Sequence, residues 1–160
     1  MSDILVSYAA FVRVILVRHC QSDLNAATHP ATWVLGTDLV VDDALRETDA
    51  QWLVHDEFVA TVARLFAVAT MSPARGWERS CDAGARLLAA IGRQGESSPD
   101  GDVVVCSGGR ALTSLLVSLA IVTPEQAFAY WQTIGMPDLA VLDLLASGTP
   151  AVVRHFAESV

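Results

Sequence analysis

An arginine followed by a histidine closes the run Val14-Ile15-Leu16-Val17-Arg18-His19. The apolar residues before it are β-rich and read as a buried strand. A polar segment of small residues follows, Cys20-Gln21-Ser22-Asp23-Leu24-Asn25. The carboxyl end of a strand is where an open α/β sheet presents its chemistry. An arginine there can grip an anion, and the imidazole beside it can attack that anion. A second strand end has a similar build. Val103-Val104-Val105-Cys106 is a short apolar run, Ser107-Gly108-Gly109 turns the chain, and Arg110 opens a helical stretch. The first backbone N–H groups of a helix favour anions. If the two strands lie side by side and parallel, His19 and Ser107 share one crevice.

Other nucleophiles fit the spacing less well. A cysteine phosphatase needs a longer phosphate-cradling loop than the three residues between Cys106 and Arg110 or the four between Cys81 and Arg86. Ser107 on a strand-to-helix turn has the setting of a nucleophile elbow, but Val105 stands where the leading glycine belongs. No Asp…His order follows it convincingly, although His155 lies downstream. The three cysteines, Cys20, Cys81 and Cys106, are widely spaced and odd in number. That suggests neither a disulfide framework nor a zinc site and fits a reducing cytoplasm. No metal or cofactor is expected.

The elements that position these residues follow from periodicity. Residues 1–10 precede the first strand and read as an N-terminal extension. The segment 25–36 is loop-like, punctuated by His29-Pro30 and Gly36, and Leu39-Val40-Val41 reads as a short extended piece. Ala50 to Thr70 has helical spacing in Trp52, Leu53, Phe58, Val59, Val62, Leu65 and Phe66. Trp77 to Ile91 is a second helix with Ala83, Leu87, Leu88 and Ile91 inward, and Arg110 to Val122 is a third. Thr123-Pro124-Glu125-Gln126 marks a fourth helix start, with Thr as cap, Pro at the first helical position and Gln closing the box. Ala140–Leu145 and Val152–Phe156 read as late strands joined by a hairpin at Ser147-Gly148-Thr149-Pro150. Strands separated by helices imply a parallel or mixed sheet covered on both faces.

The 160 residues suit a single domain spanning 1–160. Apolar residues make up 52% of the chain, which excludes a disordered one. A formal net charge of -8 argues against a nucleic-acid platform. No apolar run approaches the roughly 18–20 residues of a membrane span, and no secretory signal begins the chain.

Four segments together resemble the histidine phosphatase superfamily, the phosphoglycerate mutase-like proteins. Arg18-His19-Cys20 resembles the opening Arg-His-Gly motif, with Cys20 in place of glycine. Leu45-Arg46-Glu47 resembles the segment that carries the family's catalytic acid. Gly76-Trp77-Glu78-Arg79-Ser80 resembles a Gly-Trp-Glu-Ser pattern, and Val103 to Gly109 resembles the second catalytic strand-turn, Val-Ser-His-Gly-Gly. They occur in family order and cover most of residues 11–145.

The resemblance implies a three-layer α/β/α fold with a mostly parallel sheet, trimmed by one βα portion. It implies phosphomonoester hydrolysis through phosphorylated His19, with Arg18 as a phosphoryl clamp, Asn25 in the pocket and Glu47 as the acid. Ser107, Gly108 and Arg110 complete the expected phosphate site. The ligand would be phosphate or a phosphorylated small molecule. Two departures weaken the implied enzyme. Ser107 stands at the position of the second histidine, and the segment between His19 and Glu47 is too short for the family's Ser-Pro-…-Arg stretch. Ser72-Pro73-Ala74-Arg75 is similar to that stretch but falls after Glu47. His29 and Arg75 are expected on rim loops and His55 on an exposed helix face. Two functional classes stay open: a phosphatase with an impaired site, or a non-catalytic relative that binds a phosphorylated ligand or a protein. Apolar surface exposed by trimming makes a homodimer plausible.

Overall fold

Along the first strand, β1 (Phe11–Arg18), Val14 and Leu16 have no exposed area, while Ile15 and Val17, which alternate with them, are half-buried. That alternation sets the face of the sheet on which the core forms. The computed structural model describes residues 11–18, 40–98, 101–145 and 150–158. β2 (Val103–Ser107) lies parallel to β1, with Val14 opposite Val103 and Arg18 opposite Ser107. β3 (Asp138–Leu145) lies antiparallel on the other side of β1, with Arg18 opposite Asp138. β4 (Ala151–Arg154) pairs antiparallel with β3, and the sheet order is β2-β1-β3-β4.

The side-by-side parallel arrangement of the two motif strands is therefore as expected. The mostly parallel sheet is not. Three strands run one way and β3 runs against them, so β1–β2 is the single parallel pairing among the described residues and the sheet is mixed. Two helices cause this. α3 (Gly109–Ser118) and α4 (Pro124–Thr133) follow β2, and the second returns the chain to the end at which it left the strand. Arg18 accordingly sits between the last residue of β2 and the first of β3.

α1 (His55–Ala67) and α2 (Ser80–Ser97) lie between β1 and β2 in the chain. Val62, Leu65 and Phe66 of α1, Leu87 and Ile91 of α2, and Leu112, Leu115 and Leu116 of α3 form one core with Val14, Leu16, Val103, Val105, Ala140 and Leu142. The opposite sheet face carries the Arg13–Asp143 ion pair at 2.9 Å, and Val104 and Val153 are 36% and 54% exposed there. Among the described residues the helices thus form one layer, and the second helical layer of the three-layer expectation is not among them. The shortened stretch on which the expected trimming rests lies largely outside the described residues as well.

Helix boundaries differ from the periodicity in instructive ways. α1 starts at His55 rather than Ala50, because residues 50–54 form no helical turn and Trp52 is 95% exposed. α2 starts at Ser80 rather than Trp77. Gly76 takes φ +76°, which favours glycine, and turns Trp77 into the core before the helix begins. Leu88 is 36% exposed rather than inward. Val40 and Val41 are exposed and outside any strand. The capping box at Thr123 and Gln126 forms as expected.

α2 and α3 cross closely at Gly84. A Cβ there would lie 2.6 Å from the Ser114 carbonyl oxygen and collide with the Ser118 hydroxyl. Gly84→Ala is expected to destabilise the protein by about 1–3 kcal/mol, the usual cost of overpacking. Gly92 on the same helix has open space around it and supplies the control. Gly92→Ala should stabilise by about 0.5–1 kcal/mol. Urea midpoints measure both, and equal shifts in one direction would refute the close crossing.

Candidate functional site

The carboxyl ends of β1 and β2 meet where Arg18 pairs with Ser107. His19 follows directly, but His19, Cys20, Asn25 and His29 lie outside the described residues. Arg18 is half-buried, and its Nη1 donates to the Ile134 carbonyl beyond α4. Its guanidinium also lies against the start of α3. A Cβ on Gly109 would come within 3.0 Å of Arg18 Nε and 3.3 Å of Trp131 Nε1.

Glu47 approaches the preceding glycine. Its carboxylate accepts from the backbone N–H of Arg110 at 3.1 Å and of Ala111 at 2.7 Å, and also from Thr48 N–H at 2.7 Å. A Cβ on Gly108 would lie 2.8 Å from Glu47 Cγ and collide with the carboxylate. The two consecutive glycines therefore admit two different side chains, Glu47 and Arg18. Their positions bring Glu47 and Arg18 to one helix start.

Ser107 is 3% exposed, and its hydroxyl donates to the Leu45 carbonyl at 2.7 Å. It ties β2 to the loop that carries Glu47. Arg110 Nε lies 3.6 Å from Glu47 Oε2, and its Nη2 donates to the Thr48 carbonyl at 3.3 Å. The guanidinium carbon sits 5.4 Å from the Phe58 ring centre and 5.1 Å from that of Trp77, within cation–π range. Arg110 Nη1, Thr48 Oγ1 and Trp77 Nε1 are buried donors without a partner among the described residues.

The Glu47 loop is held by a residue that no sequence motif marks for this role. Arg86 on α2 donates to both carboxylate oxygens of Glu78, at 3.0 and 2.8 Å. Its Nη1 donates to the carbonyls of Ala44, at 2.7 Å, and Arg46, at 3.1 Å. The Gly-Trp-Glu motif thus contributes through Glu78, and no sequence spacing announces the Glu78–Arg86 pair. On the exposed side of the loop, a hydrogen bond from Arg46 holds the Asp49 carboxyl below its ordinary range. Burial pushes the Cys106 thiol up, which disfavours the thiolate a cysteine nucleophile needs. Arg75 and His55 are exposed, and His155 Nδ1 lies 3.5 Å from the Tyr130 hydroxyl. None of the three comes into the site. Among the described residues no group of three His, Cys, Asp or Glu side chains is placed to hold a metal, and no helix is long and apolar enough to cross a membrane.

The chain matches no family model and no curated protein. Solved structures do match. A structure described as mycobacterial hydrolase 1 superposes with a TM-score of 0.69 at 19% identity, over 93% of this chain and 100% of the other. The mycobacterial glucosyl-3-phosphoglycerate phosphatase gives 0.66 at 20% identity, over 92% and 100%. A histidine-to-alanine variant of phosphoserine phosphatase from Entamoeba histolytica, in complex with phosphoserine, gives 0.64 at 12% identity, over 91% and 97%. The fold is that of the histidine phosphatases, the phosphoglycerate mutase-like α/β class.

Proposed function

We propose that this chain is a divergent histidine phosphatase-like protein that binds a phosphoryl group where β1 and β2 end together. The observation that supports it most is the packing of Glu47 and Arg18 against Gly108 and Gly109. In this reading His19 attacks phosphorus as the bond to the leaving oxygen breaks. Glu47 gives that oxygen its proton. Water then attacks the phosphohistidine and loses a proton to Glu47, releasing phosphate and restoring the imidazole. Arg18 and the α3 amides carry the charge of the phosphoryl oxygens.

One observation favours a second reading, a non-catalytic relative that binds a phosphorylated ligand. The Ser107 hydroxyl is already committed to the Leu45 carbonyl. It therefore offers the phosphoryl group neither the charge nor the free donor of a histidine. The loss of one such donor typically costs about a hundred- to a thousand-fold in rate. Turnover of an aryl phosphate is accordingly expected below about 1 s⁻¹, under the range of ordinary enzymes, and it should vanish in His19→Ala. Faster turnover that depends on His19 refutes the impaired site. Turnover that survives His19→Ala refutes the phosphohistidine route.

A further inference from the structure

We infer that Glu47 is the resident occupant of the anion seat at the start of α3, so that its side chain competes with any phosphoryl ligand for the same backbone amides. This rests on the phosphate-site reading above and adds to it a built-in competitor. Backbone N–H groups at a helix start are what a phosphoryl oxygen would use. Here two in the first turn of α3, Arg110 and Ala111, already point at a carboxylate, at 3.1 and 2.7 Å. The fit is close: Gly108 leaves room for the Glu47 side chain and for no Cβ of its own. A ligand oxygen and the Glu47 carboxylate cannot both hold these donors, and they repel each other.

The second observation gives the displaced carboxylate somewhere to go. Thr48 and Trp77 are 3% and 4% exposed, yet Thr48 Oγ1 and Trp77 Nε1 have no partner among the described residues. Arg110 Nη1 is in the same condition. The three residues adjoin through Arg110. Arg110 donates to the Thr48 carbonyl and stacks its guanidinium over Trp77. Buried donors that lack an acceptor are costly, and a carboxylate that leaves the amides would satisfy them. Glu47 thus has two resting places, the α3 amides and the donor patch. A ligand that takes the first shifts the side chain to the second and loses affinity in proportion to the seated population.

Titration with inorganic phosphate tests this on the full chain. Glu47→Asp keeps the charge but is one methylene shorter and falls short of the amides, and Glu47→Ala removes both charge and reach. Both should bind phosphate about tenfold tighter than the wild type, the scale of one charge-assisted hydrogen bond. If only Glu47→Ala binds more tightly, long-range repulsion is the cause and the seat proposal fails. If all three bind equally, the proposal fails while the phosphate site stands. If none binds, the phosphate reading fails and takes the proposal with it. The wild type alone gives a further check should Glu47→Ala not fold. Phosphate should move the Arg110 and Ala111 amide resonances together with the Glu47 carboxylate carbon. A carboxylate resonance that stays put while phosphate binds overturns the proposal.

Discussion

Arg86→Met is expected to destabilise the protein by about 3–5 kcal/mol, the cost of removing one partner from a buried ion pair. The Arg86 and Glu78 side chains are only 15% and 11% exposed. Methionine fills the space but donates nothing. Among the described residues the Glu78 carboxylate then keeps a single long contact, from the Asp49 amide at 3.4 Å, and the carbonyls of Ala44 and Arg46 lose the Arg86 donor. A domain of this size has about 5–15 kcal/mol in all, so the loss should be plain in chemical denaturation. It should also reach the site, because Ala44 and Arg46 lie just before Glu47 in the chain. The Arg110 and Ala111 amide resonances report whether Glu47 still sits on them. The double variant Glu78→Leu, Arg86→Leu leaves no buried charge unpaired, and should recover much of the loss. A single variant as stable as the wild type would mean that the pair is solvated rather than structural.

The contrast between Arg86 and Arg18 explains what the sequence could reveal. Arg18 ends an apolar run and precedes a histidine, so strand alternation and motif together place it at the end of a buried strand. Glu47 is legible only through resemblance, since nothing in its neighbours marks a carboxylate that reaches α3. Arg86 is not legible at all. Its partners are a side chain eight residues earlier and carbonyls some forty residues earlier, and no local pattern encodes contacts of that range. The same limit applies to the sheet. The apolar runs of β1 and β2 announce two buried strands, and their shared end follows from the motifs they carry. The direction of β3 depends on α3 and α4 bringing the chain back to that end, which periodicity does not report. Local chemistry misleads at Trp52 and Trp77. Helical spacing puts both in helices, but one is exposed ahead of α1 and the other turns into the core at Gly76. Ser107 is expected to face a phosphoryl group because it stands in a histidine's place. Its short side chain reaches the Leu45 carbonyl instead.

Gly108→Ala is expected to have the largest effect on the site for the smallest change in the chain. Gly108 has φ -84° and ψ 158°, an extended conformation that alanine adopts without strain. The backbone therefore has no reason to object, and the whole effect passes through the new methyl group. That group collides with the Glu47 carboxylate and comes within 2.8 Å of Glu47 Cγ. Glu47 must leave, and α3 loses the acceptor for the amides of Arg110 and Ala111. The stability cost should be about 1–2 kcal/mol, as for a lost helix cap. The cost in rate should be larger. A positioned general acid contributes about 10²–10⁴-fold, so any turnover in which Glu47 acts from its place on α3 should drop by that order. Gly109→Ala offers the comparison. Its methyl would meet Arg18 Nε at 3.0 Å, the flexible end of a long side chain that can shift aside. That variant should raise KM more than it lowers kcat, because Arg18 grips the ligand without exchanging a proton with it. Steady-state kinetics on the two variants separates the roles. If Gly108→Ala keeps the wild-type kcat while its Arg110 and Ala111 amides show Glu47 displaced, the proton is not given from the α3 seat, and either Glu47 acts from the donor patch or the acid is another residue.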